Sequence, residues 1–358
     1  IDAGALAFLY VRLEDADGRV FYEHGKRNPS LMPYDVGGND WVRIWSMSKI
    51  VTISLALDLV ESGELSLDDP VTKYIPEVAK LNVAVGKGGE DLTALDPDER
   101  ASACPLEFEP VENPITVRGL INHQDGFYYP WTGVPCLDEP FRDMLLTTAS
   151  SSDELIGRLA QLPLINQPGT DDHYGTGTTV LGLVLERATG QSLASLVAER
   201  VMGPLGIEGL RYGLPNGEQL PPRFSGASGT LGLAEAGELD IFGKEVPFYD
   251  PEGQLFLGGE GMIGTADAYA DFARMLLARG ALNGHRYLDA ATIEEMVAPH
   301  TQVDSDWGHN GYNVWVSNGR LSDGSYGPAP LWVGGGYEGT QYWIDPERGF
   351  VGVIMTQI

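Results

Sequence analysis

Apolar and polar positions alternate near both ends of this chain and recur at helical spacing through its middle. Residues 7–13 and 19–22 are strand-like runs joined through Asp17-Gly18, a strong turn pair, so the chain is expected to open on a β-hairpin. From Ser46 the apolar residues Ile50, Ile53, Leu57 and Val60 fall on one helical face, and Gly63 stands where a C-terminal glycine cap belongs. Residues 86–114 are rich in Gly, Asp, Glu and Pro and read as an insertion or exposed loop. Helices are predicted over 178–188, ended by Gly190, over 193–202, and over 265–278, with Thr265 as N-cap. Residues 312–316, 341–344 and 349–356 return to β-branched and aromatic patterning, with Asp345-Pro346 turning between the last two.

Strands at both termini with helices between them imply one sheet interrupted by an inserted helical lobe. The expected architecture is a mixed α/β lobe from residues 1–75 and 256–358, holding an antiparallel sheet, and a mostly helical lobe with insertion loops over 76–255. A length of 358 residues supports two lobes, because single cores seldom grow further. A chain 43% hydrophobic and 21% charged has ample material for a core. No apolar run is long enough to cross a bilayer as a helix, and acidic residues from Glu14 onward argue against reading residues 1–13 as a signal peptide. A soluble protein is expected, with the choice between a bacterial-type cytoplasm and periplasm left open, as is the oligomeric state.

Charge narrows the partners. A formal net charge of −28, from 23 basic and 51 acidic residues, repels phosphate backbones and anionic membranes, so no nucleic-acid partner is expected. Acidic substrates are repelled at long range too. Cys104 and Cys136 show no metal-ligand spacing, and the sequence leaves them either bridged or free. The histidines are scattered, and neither a metal nor a cofactor is expected.

Ser46-Met47-Ser48-Lys49 is the first candidate for chemistry. Three residues of helix place Ser46 and Lys49 on one face, while Ser48 turns away. A serine hydroxyl needs a neighbouring base, and a lysine amine can serve if burial or nearby charge lowers its pKa. A helix N-terminus also offers N–H groups to a developing oxyanion. Tyr174, flanked by His173 and Gly175 just before a predicted helix, is a second candidate proton carrier.

The run Ile44-Trp45-Ser46-Met47-Ser48-Lys49 and the segment Gly63-Glu64-Leu65-Ser66-Leu67-Asp68-Asp69-Pro70-Val71 resemble the first motif of class C β-lactamase-like serine hydrolases. That superfamily includes the family VIII carboxylesterases, to which the chain is most similar, together with D-aminopeptidases and DD-peptidases. Residues 115–126 resemble the family's TVRDLLTHTSG segment, Tyr174-Gly175-Thr176 its Tyr-x-Asn motif, and 201–207 its PLGM segment. Residues 258–267 resemble its glycine-rich strand, and Gly334-Gly335-Gly336-Tyr337 with 343–349 its third motif. The resemblance implies a serine β-lactamase/DD-peptidase-like fold with the site between two lobes. It implies that Ser46 is acylated, that Lys49 and Tyr174 share the proton transfers, and that the backbone N–H groups of Ser46 and Tyr337 form the oxyanion hole.

Two departures bear on substrate. Thr176 replaces an asparagine, and Gly334 stands where relatives carry Lys, His or Trp, leaving space and no charge. A shifted register would put Trp332 in that place. Thr176, Gly334, Gly335, Gly336, Trp332, His123 and Tyr128 are the expected substrate-binding residues, with His123 a hydrogen-bonding residue rather than a base. The aromatic run Phe127, Tyr128, Tyr129 and Trp131 is a candidate apolar pocket wall. Loss of the cation leans the expectation toward a small-molecule ester, hydrolysed through an acyl-enzyme, with weak β-lactam turnover at most. A β-lactamase, D-peptidase or amidase on the same scaffold is the alternative, and a catalytically inactive binding protein the alternative of another class.

Overall fold

The alternating ends become neighbours in one sheet. In the computed structural model, which describes residues 1, 4–226, 229–242, 249–300, 308–320, 325, 327 and 330–358, seven strands pair antiparallel throughout. Their order is Gly308–Asn310, Trp315–Ser317, Leu331–Gly335, Gln341–Asp345, Phe350–Met355, Phe8–Asp15 and Val20–Arg27. Tyr10 lies opposite Met355 and Asp15 opposite Phe350, so the first and last long strands zip together. The expected terminal hairpin is present, with Gly18 at φ +80° supplying the left-handed turn residue.

Several cross-strand pairs in this sheet join a glycine to an aromatic ring, two of them beside each other at its middle strands. Gly334 faces Tyr342 and Gly352 faces Trp343, and in each pair the ring lies over the glycine. Ring area then covers backbone that a glycine would leave bare. The strand expected over 312–316 begins only at Trp315, because Asn313 at φ +54° turns the chain before it.

One sheet face is covered by the helix Ala266–Leu277, which packs across Phe350–Met355, Phe8–Asp15 and Gln341–Asp345. Thr265 caps it as expected, its hydroxyl accepting from the Ala268 N–H at 3.2 Å. The helix Ser48–Glu61 is more deeply enclosed than a one-sided apolar stripe predicts: Ser48, Lys49, Thr52 and Ser54 are buried with the aliphatic residues. Their polar atoms are satisfied locally. Thr52 donates to the Gly258 carbonyl at 2.7 Å, Ser54 to the Ile50 carbonyl at 2.8 Å, and Ser48 Oγ accepts from the Met262 N–H at 3.1 Å. Gly63, at φ +76°, follows the helix end as expected.

The helix Gly177–Thr189 packs beside Ser48–Glu61 and ends at Gly190, φ +73°. The helix expected over 193–202 is divided into Leu193–Leu196 and a wider turn over Val197–Met202. The segment read as an irregular insertion is in part ordered. Asn82–Val85 pairs with Glu107–Pro110, Asp96 caps the short helix Pro97–Ala101, and a Cys104–Cys136 disulfide ties this region to the helix Pro135–Asp143. The cysteines are therefore bridged. Among the described residues no helix is long and apolar enough to cross a membrane, and no cluster of His, Cys, Asp or Glu is arranged to hold a metal ion.

Candidate active site

A three-stranded ribbon sets the position of Ser46. Val42–Arg43 and Leu210–Arg211 both pair with Ile263–Gly264, and the Ile44 N–H donates to the Met262 carbonyl at 3.3 Å. The chain leaves this ribbon through Trp45, a fully buried residue at φ +47°. A left-handed tryptophan is strained by about 1–2 kcal/mol, and it persists because its surroundings fix it. Its ring meets Tyr337 edge-on at 5.4 Å, and the Arg223 guanidinium lies 5.5 Å from its centre. Ser46 follows in one tight turn, Trp45–Met47, and the α-helix proper starts two residues later than expected, at Ser48.

Ser46 Oγ is 2.8 Å from the Tyr174 hydroxyl and 3.3 Å from Lys49 Nζ. The ammonium is fully buried and has four acceptors for its three protons. Besides Ser46 these are the Tyr129 hydroxyl at 2.9 Å, the Gly259 carbonyl at 3.0 Å and Glu260 Oε1 at 3.3 Å. Burial alone would lower the Lys49 pKa, but the Tyr174 oxygen and the Glu260 carboxylate outweigh it and hold the ammonium above its ordinary value. This differs from the expectation of an amine poised to lose its proton, because no motif marks the buried Glu260 carboxylate.

Glu260 is absent from the sequence-based expectations. It is fully buried, accepts from the Tyr129 hydroxyl, and receives the Thr179 hydroxyl at 2.5 Å. Burial, then the Glu260 charge, holds the Tyr129 phenol protonated far into alkali. A signal was available: Glu260 is the sole charged residue from Gly253 to Ala266. Tyr129, expected among pocket aromatics, instead lies against Lys49, a contact that long-range packing sets.

Above these groups opens a cavity of about 220 Å³, lined by Ser46, Tyr174, His123, Gly334 and Gly335 among others. His123 holds Asn313 Oδ1 at 3.0 Å through Nε2, and its ring rests 4.8 Å from that of Tyr174. Burial, then the Lys49 charge, lowers its pKa to about 4, so it stands neutral at pH 7, in keeping with a hydrogen-bonding rather than a basic role. Gly336 is off the cavity wall. A side chain there would collide with the Ile44 carbonyl and Thr340 Oγ1, so glycine lets the 336–337 backbone lie against the segment that carries Ser46.

Three further expected substrate contacts do not reach the cavity. Tyr128 is core, 5.5 Å from Phe141. Thr176 is 1% exposed, with its hydroxyl buried at the head of the helix Gly177–Thr189. Trp332 lies in an apolar recess with Leu276, Ile293 and Ile344, on the helix-covered side of the sheet. The shifted register that would have used Trp332 is thereby set aside. Nor does Gly334 leave space: a Cβ there would come within 2.5–2.8 Å of the buried Tyr342 ring. Gly334→Ala is therefore expected to cost about 1–3 kcal/mol by overpacking. In combination with Tyr342→Ala it should cost less than the sum of the two, as thermal or denaturant unfolding of the four proteins will show.

Residues 16–358 match the Beta-lactamase family. The chain belongs to this family. A Mycobacterium tuberculosis protein, Rv1367c, is 28% identical over 296 residues, which are 82% of this chain and 64% of that protein. The chain thus spans just under two thirds of the length of that relative. Lovastatin esterase of Penicillium rubens is 27% identical over 390 residues, covering 99% of this chain and 89% of the esterase. Among solved structures, EstCE1, described as a hydrolase with promiscuous acyltransferase activity, superposes with a TM-score of 0.77 at 21% identity, over 99% of this chain and 90% of its own. The β-lactamase-type fold implied by the motifs is the fold of this family member.

Proposed function

We propose that the protein is a carboxylic ester hydrolase working through an acyl-enzyme on Ser46. The observation that carries this reading is Ser46 Oγ, held 2.8 Å from the Tyr174 oxygen and 3.3 Å from a buried ammonium, at a cavity with no described Lys or Arg on its walls. The name of lovastatin esterase supports ester chemistry for that relative. Fold by itself would not select a substrate.

This mechanism requires Tyr174 to act as the base, as a phenolate opposite the Lys49 ammonium, and to take the Ser46 proton as Oγ attacks the ester carbonyl. The backbone N–H groups of Ser46 and Tyr337 receive the oxyanion. Collapse expels the alcohol, which leaves with the proton that Tyr174 held, and Ser46 is acylated. Water then attacks, Tyr174 accepts its proton, and the proton returns to Ser46 Oγ as the acid departs. Lys49 stays charged throughout, an electrostatic role that differs from a shared base.

A substrate carboxylate finds no cation on the described walls. The missing charge-assisted contact is worth about 1.5–3 kcal/mol, or roughly ten- to a hundred-fold in rate. Turnover of short and long p-nitrophenyl esters, a chromogenic cephalosporin and a D-alanyl peptide should therefore rank neutral esters first. An anionic β-lactam hydrolysed faster than every ester would reverse the assignment.

Glu260 gives a separate test. Glu260→Gln removes a charge that holds Lys49 protonated, so the Lys49 pKa falls. Activity that needs the ammonium is lost as pH rises through that pKa. The alkaline limb of kcat/KM against pH should move to lower pH, with kcat reduced roughly ten- to a hundred-fold at neutral pH. An unmoved limb would mean that Glu260 does not set the charge of Lys49.

A further inference from the structure

We infer that the cavity selects esters carrying an ammonium group, with the Asp172 carboxylate as counter-charge and the Trp315 ring lining the same cavity. The inference rests on the ester-hydrolase reading and names the substrate class of that same site. Asp172 lies two residues before Tyr174 and lines the cavity that contains Ser46. Among the described residues no Lys, Arg or His forms an ion pair with it, and no Lys or Arg stands on the cavity wall. Burial and the neighbouring Asp171 raise the Asp172 pKa, the mark of a carboxylate short of a cation.

The rest of the wall is of the same character. Trp315 is on the cavity wall, and an aromatic ring attracts alkylammonium groups. His123 is neutral at pH 7, so it adds no opposing charge. Lys49 lies below the floor, its charge engaged by Glu260. A carboxylate and an aromatic ring on a described wall without Lys or Arg are complementary to a substituted ammonium and ill-suited to an anion. The net charge of −28 draws cations toward the protein as a whole, so the local contribution must be separated from the general one.

The separation uses acetylthiocholine and its uncharged carbon isostere, 3,3-dimethylbutyl thioacetate, with p-nitrophenyl acetate as a reference ester. In the unmodified protein kcat/KM should favour the cationic member by roughly ten-fold or more. Asp172→Asn changes total charge by one unit and leaves the other acidic groups in place, and it should bring the ratio to near one. Asp172→Glu should restore part of the preference. A ratio near one in the unmodified protein, or one that Asp172→Asn leaves intact, overturns the inference while ester hydrolysis stands. Failure to turn over all three esters would overturn the hydrolase reading and this inference with it.

Discussion

Ser46→Ala is expected to remove nearly all ester turnover, by a factor of about 10⁴ or more. Ser46 Oγ is the hydroxyl that meets both Tyr174 and Lys49. The nearby Ser48 is no substitute, since its oxygen is buried on the other side of the turn, accepting from Met262. The alanine variant should stay folded, because the change removes one small polar atom at the cavity floor. Steady-state turnover of p-nitrophenyl acetate, with circular dichroism to verify folding, checks the result. Retention of most activity would remove Ser46 from the nucleophile's place.

Lys49 and Tyr174 carry the second large effect. Tyr174→Phe keeps the ring and deletes the oxygen 2.8 Å from Ser46, so it should lower kcat by roughly 10²–10⁴-fold. Tyr174 is 44% exposed, and the loss should come with little change in stability. Lys49→Ala should cost at least as much activity. It also strands the buried Glu260 charge, so it should lose about 3–5 kcal/mol of stability as well. Lys49→Ala/Glu260→Gln should recover much of that stability and none of the activity. Because the two residues serve one proton transfer, the Lys49→Ala/Tyr174→Phe double variant should be little slower than the slower single variant. Losses that multiply would show that they act independently.

The contrast between what could and could not be read from the chain follows the reach of the forces involved. The terminal hairpin, the helix starting near Ser46 and the Thr265 cap are local patterns, and the structure reproduces them. The pairing of Phe8–Asp15 with Phe350–Met355 was legible because strands at both ends need one partner sheet. The contents of the site were less so. Ser46, Lys49 and Tyr174 announce themselves through motif spacing, whereas Glu260 enters from a segment about 210 residues away, as its 3.3 Å contact with Lys49 shows. Gly334 carried a misleading message, since absence of a side chain in the sequence says nothing of the Tyr342 ring that fills the gap from the next strand. Trp332 and Tyr128 erred for a related reason: an aromatic residue near a motif serves a core as readily as a pocket.

The central claim is the covalent intermediate on Ser46. The most direct measurement is mass spectrometry of protein quenched in acid during turnover of a slow p-nitrophenyl ester, followed by peptide mapping. The account predicts one acyl group per chain on the peptide containing Ser46, absent from Ser46→Ala. An acyl group on Ser48, or steady turnover without any acylated peptide, would contradict it.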